Sequence, residues 1–144
     1  MTDINVKILV FSGGLAIFWS SLVGLFMMIP HLRSKTLKKR TSNIDFRQLL
    51  AAHLDWIMLG LMQGLAAFLI FAFSIKPSIW VVIAMIYGGW MNAVPYFLRA
   101  FGINAFVFAG GILAKTANIL GGISVLAVII SWAFLLSAAG QTFF

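Results

Sequence analysis

Two ionisable residues stand inside the apolar stretch AAHLDWIMLG, residues 51–60: His53 and Asp55. A neutral imidazole offers a nitrogen to a metal, and a carboxylate offers oxygen to a metal or a proton. Such groups are costly at membrane depth and usually face a bundle interior or a cavity, so both are candidates for function. Further along, Gly89, Asn92, Tyr96 and Arg99 recur at i, i+3, i+7 and i+10, and His53, Trp56, Gly60 and Gln63 repeat that spacing. Each set forms a stripe on one helix face. Two stripes on adjacent antiparallel helices predict that His53, Asn92 and Tyr96 converge at one depth. Asp55 lies roughly 160° around the helix from His53 at about 100° per residue, which directs it to another helix, a neighbouring subunit or a loop.

The rest of the inventory narrows the chemistry. The chain has no cysteine and no glutamate. Thiol nucleophiles, covalent haem attachment, dinuclear carboxylate centres and multi-histidine zinc sites therefore lack their ligands. The bland use of His53 is a hydrogen bond between helices, worth about 1 kcal/mol. The functional use is ligation: a single imidazole shielded from water suits a five-coordinate haem with an open sixth position. There Asn92 and Tyr96 would orient a bound molecule by hydrogen bonds, and Arg47 or Arg99 would meet the propionates. Four short helices hardly enclose a porphyrin, which favours a site between subunits. Gly60 and Gly64 form a GxxxG pair, suited to close helix packing or to a flat ligand against the backbone. His31, beside Pro30, reads as a solvated loop residue.

The elements that position these residues follow from composition. Of 144 residues, 62% are hydrophobic and 9% charged, and mean hydropathy is +1.07. A soluble domain of this size cannot bury so much apolar surface, so the chain is read as all-α and membrane-embedded. Four apolar runs, about residues 6–29, 49–75, 79–101 and 118–139, each approach the roughly 20 residues that cross a bilayer. They form one transmembrane domain, a four-helix bundle. Lys76-Pro77-Ser78 predicts a tight hairpin between the second and third spans. His53 would then lie about 6 Å past the start of its span. The stretch 104–117, interrupted by Lys115 and Thr116, is expected at the interface. In the first run the positive charges follow the apolar stretch, which argues against a cleaved signal peptide.

The net charge is +7, and six of the ten basic residues (Arg33, Lys35, Lys38, Lys39, Arg40, Arg47) fall in one loop. In a membrane protein that asymmetry sets orientation rather than nucleic-acid binding. The loop 30–48 is expected on the cytoplasmic face of the plasma (inner) membrane, with both termini on the other side.

Two motifs, AHLDWIMLG and GGWMNAVPYFL, resemble the styrene oxide isomerase family, and His53-Leu54-Asp55 is similar to hydroxylaminobenzene mutases. The resemblance covers the second and third spans, about 50 residues, and the four-span layout. It implies a homotrimeric isomerase with non-covalent haem b between subunits. It further implies that His53 is the axial ligand and that Asn92 and Tyr96, after Gly89-Trp90, orient a small hydrophobic aromatic substrate. One departure is Gly88, which stands where the family carries an acidic residue; Asp55 is the candidate replacement. The reaction implied is rearrangement of an aryl epoxide to a carbonyl compound, with hydroxylaminoarene mutation as its near neighbour. A haem-based electron-transfer or sensor protein and a small transporter are the rivals from other classes.

Overall fold

The computed structural model describes residues 4–32, 34–106 and 111–142. Arg33 of the basic loop and residues 107–110 of the stretch expected at the interface lie outside the described residues. The chain is helical: α1 (Ile4–Met27), a 3-10 turn (Ile29–His31), α2 (Lys35–Arg40), α3 (Phe46–Ala72), α4 (Ile79–Met91), α5 (Val94–Ala100) and α6 (Ile112–Gly140). Among the described residues, four helical segments are long and apolar enough to cross a membrane, α4 and α5 together forming the third. The molecule has the build of a multi-pass membrane protein.

Local chemistry moves the boundaries. Helix α3 starts at Phe46 because the Asp45 carboxylate accepts hydrogen bonds from Arg47 N at 3.0 Å and Gln48 N at 3.2 Å, an N-cap. It ends at Ala72, ahead of Pro77. Ser74 takes the left-handed conformation at φ 51°, and Ile75 N donates back to Ile70 O at 3.0 Å while both side chains are buried. That is a Schellman stop with its apolar contact. The second span is therefore displaced about three residues upstream of the run read from hydropathy. His53 becomes the eighth residue of its helix, roughly 10 Å from the start.

The third span is interrupted at Pro95, which has no N–H to offer Met91 four residues back, so the hydrogen-bond ladder lapses around Asn92 and Ala93 while both residues keep right-handed helical dihedrals. The fourth helix extends back to Ile112 and takes in Lys115 and Thr116, unlike the interfacial segment expected there. At 29 residues it is about 43 Å long, enough to pass beyond the hydrocarbon layer.

Helix α3 packs most extensively along α1, and α4 along α6; α3 meets the third span more through α5 than through α4. Close approach explains the pairing. A Cβ on Gly60 would lie 2.7 Å from Gly13 O, and a Cβ on Gly88 would strike Val128 and lie 2.8 Å from Ser124 O. Bare backbone at these points lets α1 meet α3 and α4 meet α6. Two apolar clusters fill the interior, one around Leu9, Ile70 and Met85 and the other around Leu49, Ala52 and Trp56. Large apolar side chains also face outward, Ile112 at 86% and Trp80 at 74% exposure, as lipid contact requires.

Candidate functional site

His53 is half-buried on the side of α3 that faces α1. Its Nδ1 lies 2.8 Å from the Ser20 carbonyl oxygen and 2.7 Å from Ser20 Oγ. A carbonyl only accepts, so Nδ1 carries the proton. The Ser20 hydroxyl in turn donates to the His53 carbonyl at 2.7 Å. Nε2 is left with its lone pair, and among the described residues nothing hydrogen-bonds it. Gly24, one turn beyond Ser20, makes room for the ring: a Cβ there would sit 3.0 Å from Cε1. The result is an imidazole of fixed tautomer and orientation with one free donor nitrogen, the state in which histidine binds a metal.

Asn92 and Tyr96 face a different neighbour. The break at Asn92 and the short helix α5 turn both toward α6, where a cavity of about 390 Å³ lies between them and Asn118, Gly121, Gly122 and Val125. Pro95 seats against Gly121. The Tyr96 ring meets Phe106 edge-on at 4.8 Å. Ser124 Oγ donates to Gly121 O at 2.6 Å and reaches Asn92 Oδ1 only at 3.5 Å, so the Asn92 amide is nearly free. Asn118 Nδ2 donates to Ala105 O at 2.9 Å. The volume falls within the range of small-molecule sites.

His53 and the pair Asn92–Tyr96 thus have different immediate partners, Ser20 of α1 for the one and the α6 cavity for the other. Among the described residues, no hydrogen bond joins His53 to Asn92 or Tyr96, although Tyr96 packs against the cluster that holds Ala52 beside His53. The stripe His53, Trp56, Gly60 and Gln63 divides between two partners. His53 and Gly60 turn to α1, whereas Trp56 Nε1 donates to Trp90 O at 3.2 Å and the Gln63 amide rests on Gly89 of α4. Gln63 is fully buried, and among the described residues neither its Nε2 nor its Oε1 has a partner.

The family model described as styrene oxide isomerase matches residues 6–142. The chain belongs to the styrene oxide isomerase family. The match spans all four membrane segments, beyond the two that carry the quoted motifs. No curated protein and no solved structure matches the chain significantly. The family name denotes an isomerase.

For a styrene oxide isomerase family member, several placements matter. Gly60 is taken up by contact with α1, while Gly64 has nothing within 4 Å of an added Cβ. Gly88 stands where α4 and α6 nearly touch, so this chain has no space there for the acid that the family pattern places before Gly-Trp. Asp55 is half-buried, and no hydrogen bond joins its carboxylate to a described residue. Arg47 and Arg99 are both exposed, Arg99 with its guanidinium 5.4 Å from the Phe106 ring centre. Among the described residues no three acidic or histidine side chains cluster. Sequence reasoning missed Ser20, Gly24 and Asn118. The first two had a signal: Gly13, Ser20 and Gly24 fall at i, i+7 and i+11, small residues along one face of a bulky span.

Proposed function

We propose that this protein rearranges an aryl epoxide to a carbonyl compound with haem b held through His53. The observation that carries the reading is the Nδ1–H of His53 committed to the Ser20 carbonyl, which frees Nε2 as a single ligand on a half-buried helix face. When bound, haem b supplies a ferric iron able to act as a Lewis acid toward an oxygen atom. Ser20 fixes the imidazole tautomer, and Gly24 leaves the ring its place. Gly64 keeps the α3 surface bare for a flat group, and Arg47 and Arg99 stand ready for propionates. Asn92 and Tyr96 hold the oxygen-bearing end of the substrate by hydrogen bonds, while the apolar part of their cavity receives the aryl ring and keeps water away.

The net reaction is balanced. The C–O bond at the ring-bearing carbon breaks, a hydride moves to that carbon from its neighbour, and the remaining C–O becomes C=O. No electron acceptor enters.

In one chain His53 is held at the α1/α3 seam and the Asn92–Tyr96 cavity opens at the α5/α6 seam, and among the described residues α1 and α6 do not pack on each other. A complete site therefore joins His53 of one copy to the Asn92–Tyr96 cavity of the next. Such a contact is heterologous and closes as a ring, for which we propose a homotrimer. The basic segment 30–48 is assigned to the cytoplasmic face of the inner membrane.

The test is absorption of the detergent-purified protein, with and without His53→Ala, alongside turnover of styrene oxide and of phenylhydroxylamine. A Soret band lost in the variant, with styrene oxide converted by the wild type, supports the reading. A colourless wild type that leaves both compounds unchanged removes it, and conversion of phenylhydroxylamine alone moves the protein to the mutase reaction.

A further inference from the structure

The cavity beside Asn92 and Tyr96 contains a glycine that the fold does not require. Gly121 and Gly122 are consecutive on α6, and both line it. Gly121 is bare for packing, since a Cβ there would lie 2.7 Å from Pro95 Cγ. Gly122 is not: an added Cβ would meet no heavy atom within 4 Å. It is the eleventh residue of a 29-residue helix, far from either end, where glycine is less stable than alanine because it restricts the unfolded chain less. No neighbour in the chain gains from the missing side chain. The space itself does.

Asn118, Gly121, Gly122 and Val125 follow at i, i+3, i+4 and i+7, so Gly122 lies one turn along the same α6 face from Asn118. Asn118 commits Nδ2 to Ala105 O, and no described residue hydrogen-bonds its Oδ1. The polar groups Asn92, Tyr96 and Asn118 thus share the cavity with a stretch of wall that lacks a side chain. The geometry points to Gly122 as the residue that sets how large an aromatic ring system the cavity admits. This assignment rests on the reading of the cavity as the substrate site.

The experiment uses full-length protein carrying Gly122→Ala or Gly122→Leu, with styrene oxide and its two-ring analogue 2-(2-naphthyl)oxirane as substrates. Gly122→Ala should keep the absorption spectrum and oligomer size of the wild type. It should lower the two-ring to one-ring ratio of kcat/KM about tenfold, and Gly122→Leu further, as a methylene-sized change in an apolar pocket does. An unchanged ratio in both variants overturns the assignment. So does dissociation of the Leu variant while the Ala variant keeps the wild-type ratio, which would make Gly122 a packing residue between copies. Binding of the unreactive alcohols 1-phenylethanol and 1-(2-naphthyl)ethanol to the same proteins reads cavity size without turnover. A wild type inert toward both epoxides would defeat the proposed reaction. The alcohol ratio would still decide Gly122, by falling in the variants or by staying fixed.

Discussion

Ser20 holds His53 from two directions: its carbonyl accepts from Nδ1 at 2.8 Å, and its hydroxyl donates to the His53 carbonyl at 2.7 Å. Helix α1 thereby determines which nitrogen of an α3 side chain is available. Partners of this kind typically alter metal affinity by about 10–100-fold when removed.

Ser20→Ala keeps the carbonyl and loses the hydroxyl. Haem affinity, titrated into haem-depleted protein, should weaken about tenfold, at the low end for such partners because one of the two contacts survives. Gly24→Val should act more strongly, since it drives a branched side chain into the imidazole. Wild-type affinity in both variants would show that α1 does not orient the ligand.

The separation of His53 from Asn92 and Tyr96 predicts complementation between copies. Neither His53→Ala nor Tyr96→Phe alone should support normal turnover, although Tyr96→Phe retains haem. Co-expressed and randomly mixed in a ring, they should restore about a quarter of wild-type activity, because one interface in four then pairs an intact histidine with an intact tyrosine. Recovery no greater than the sum of the separate variants would confine the site to one chain.

Gly60 and Gly64 look alike in sequence and should respond oppositely. Gly60→Ala pushes a methyl toward Gly13 O and Ile17 and should destabilise the protein by about 1–3 kcal/mol, the usual range for overpacking. Gly64→Ala meets no atom of the chain and should stabilise the haem-depleted protein by about 0.5–1 kcal/mol through helix propensity. Thermal unfolding in detergent measures both, and equal responses would reject the α1/α3 contact as described.

Gln63 buries an amide with no partner among the described residues, which typically costs about 1–3 kcal/mol. Gln63→Met is similar in length and removes that penalty, so it should raise the unfolding temperature. A lower midpoint would indicate that the amide is satisfied by a group such as an internal water.

The all-α membrane fold was legible because four apolar runs of spanning length need no tertiary information to be recognised. Their ends were less so. Ser74 adopts a conformation that nothing in its type demands, and Lys115 lies inside α6 although a charge there reads as a boundary. His53 stood out as a lone imidazole at depth. Its surroundings did not, because a helical stripe specifies a face without specifying which helix meets it. Contacts between bare backbones decide that, Gly13 with Gly60 and Gly88 with the α6 chain. The glycines were visible, but their assignment to partners was not. Asn118 escaped notice because it falls at the expected edge of a span, where a polar residue calls for no explanation.

Asp45 does more than begin a helix. Its carboxylate caps α3, and its own N–H donates to Ala100 O at 2.9 Å, where α5 ends. One residue thus rivets the segment that carries His53 to the segment that carries Tyr96. Any pull on the chain between Thr41 and Asp45 therefore reaches both segments at once, adding a backbone tie to the side-chain packing of Trp56 on Phe97.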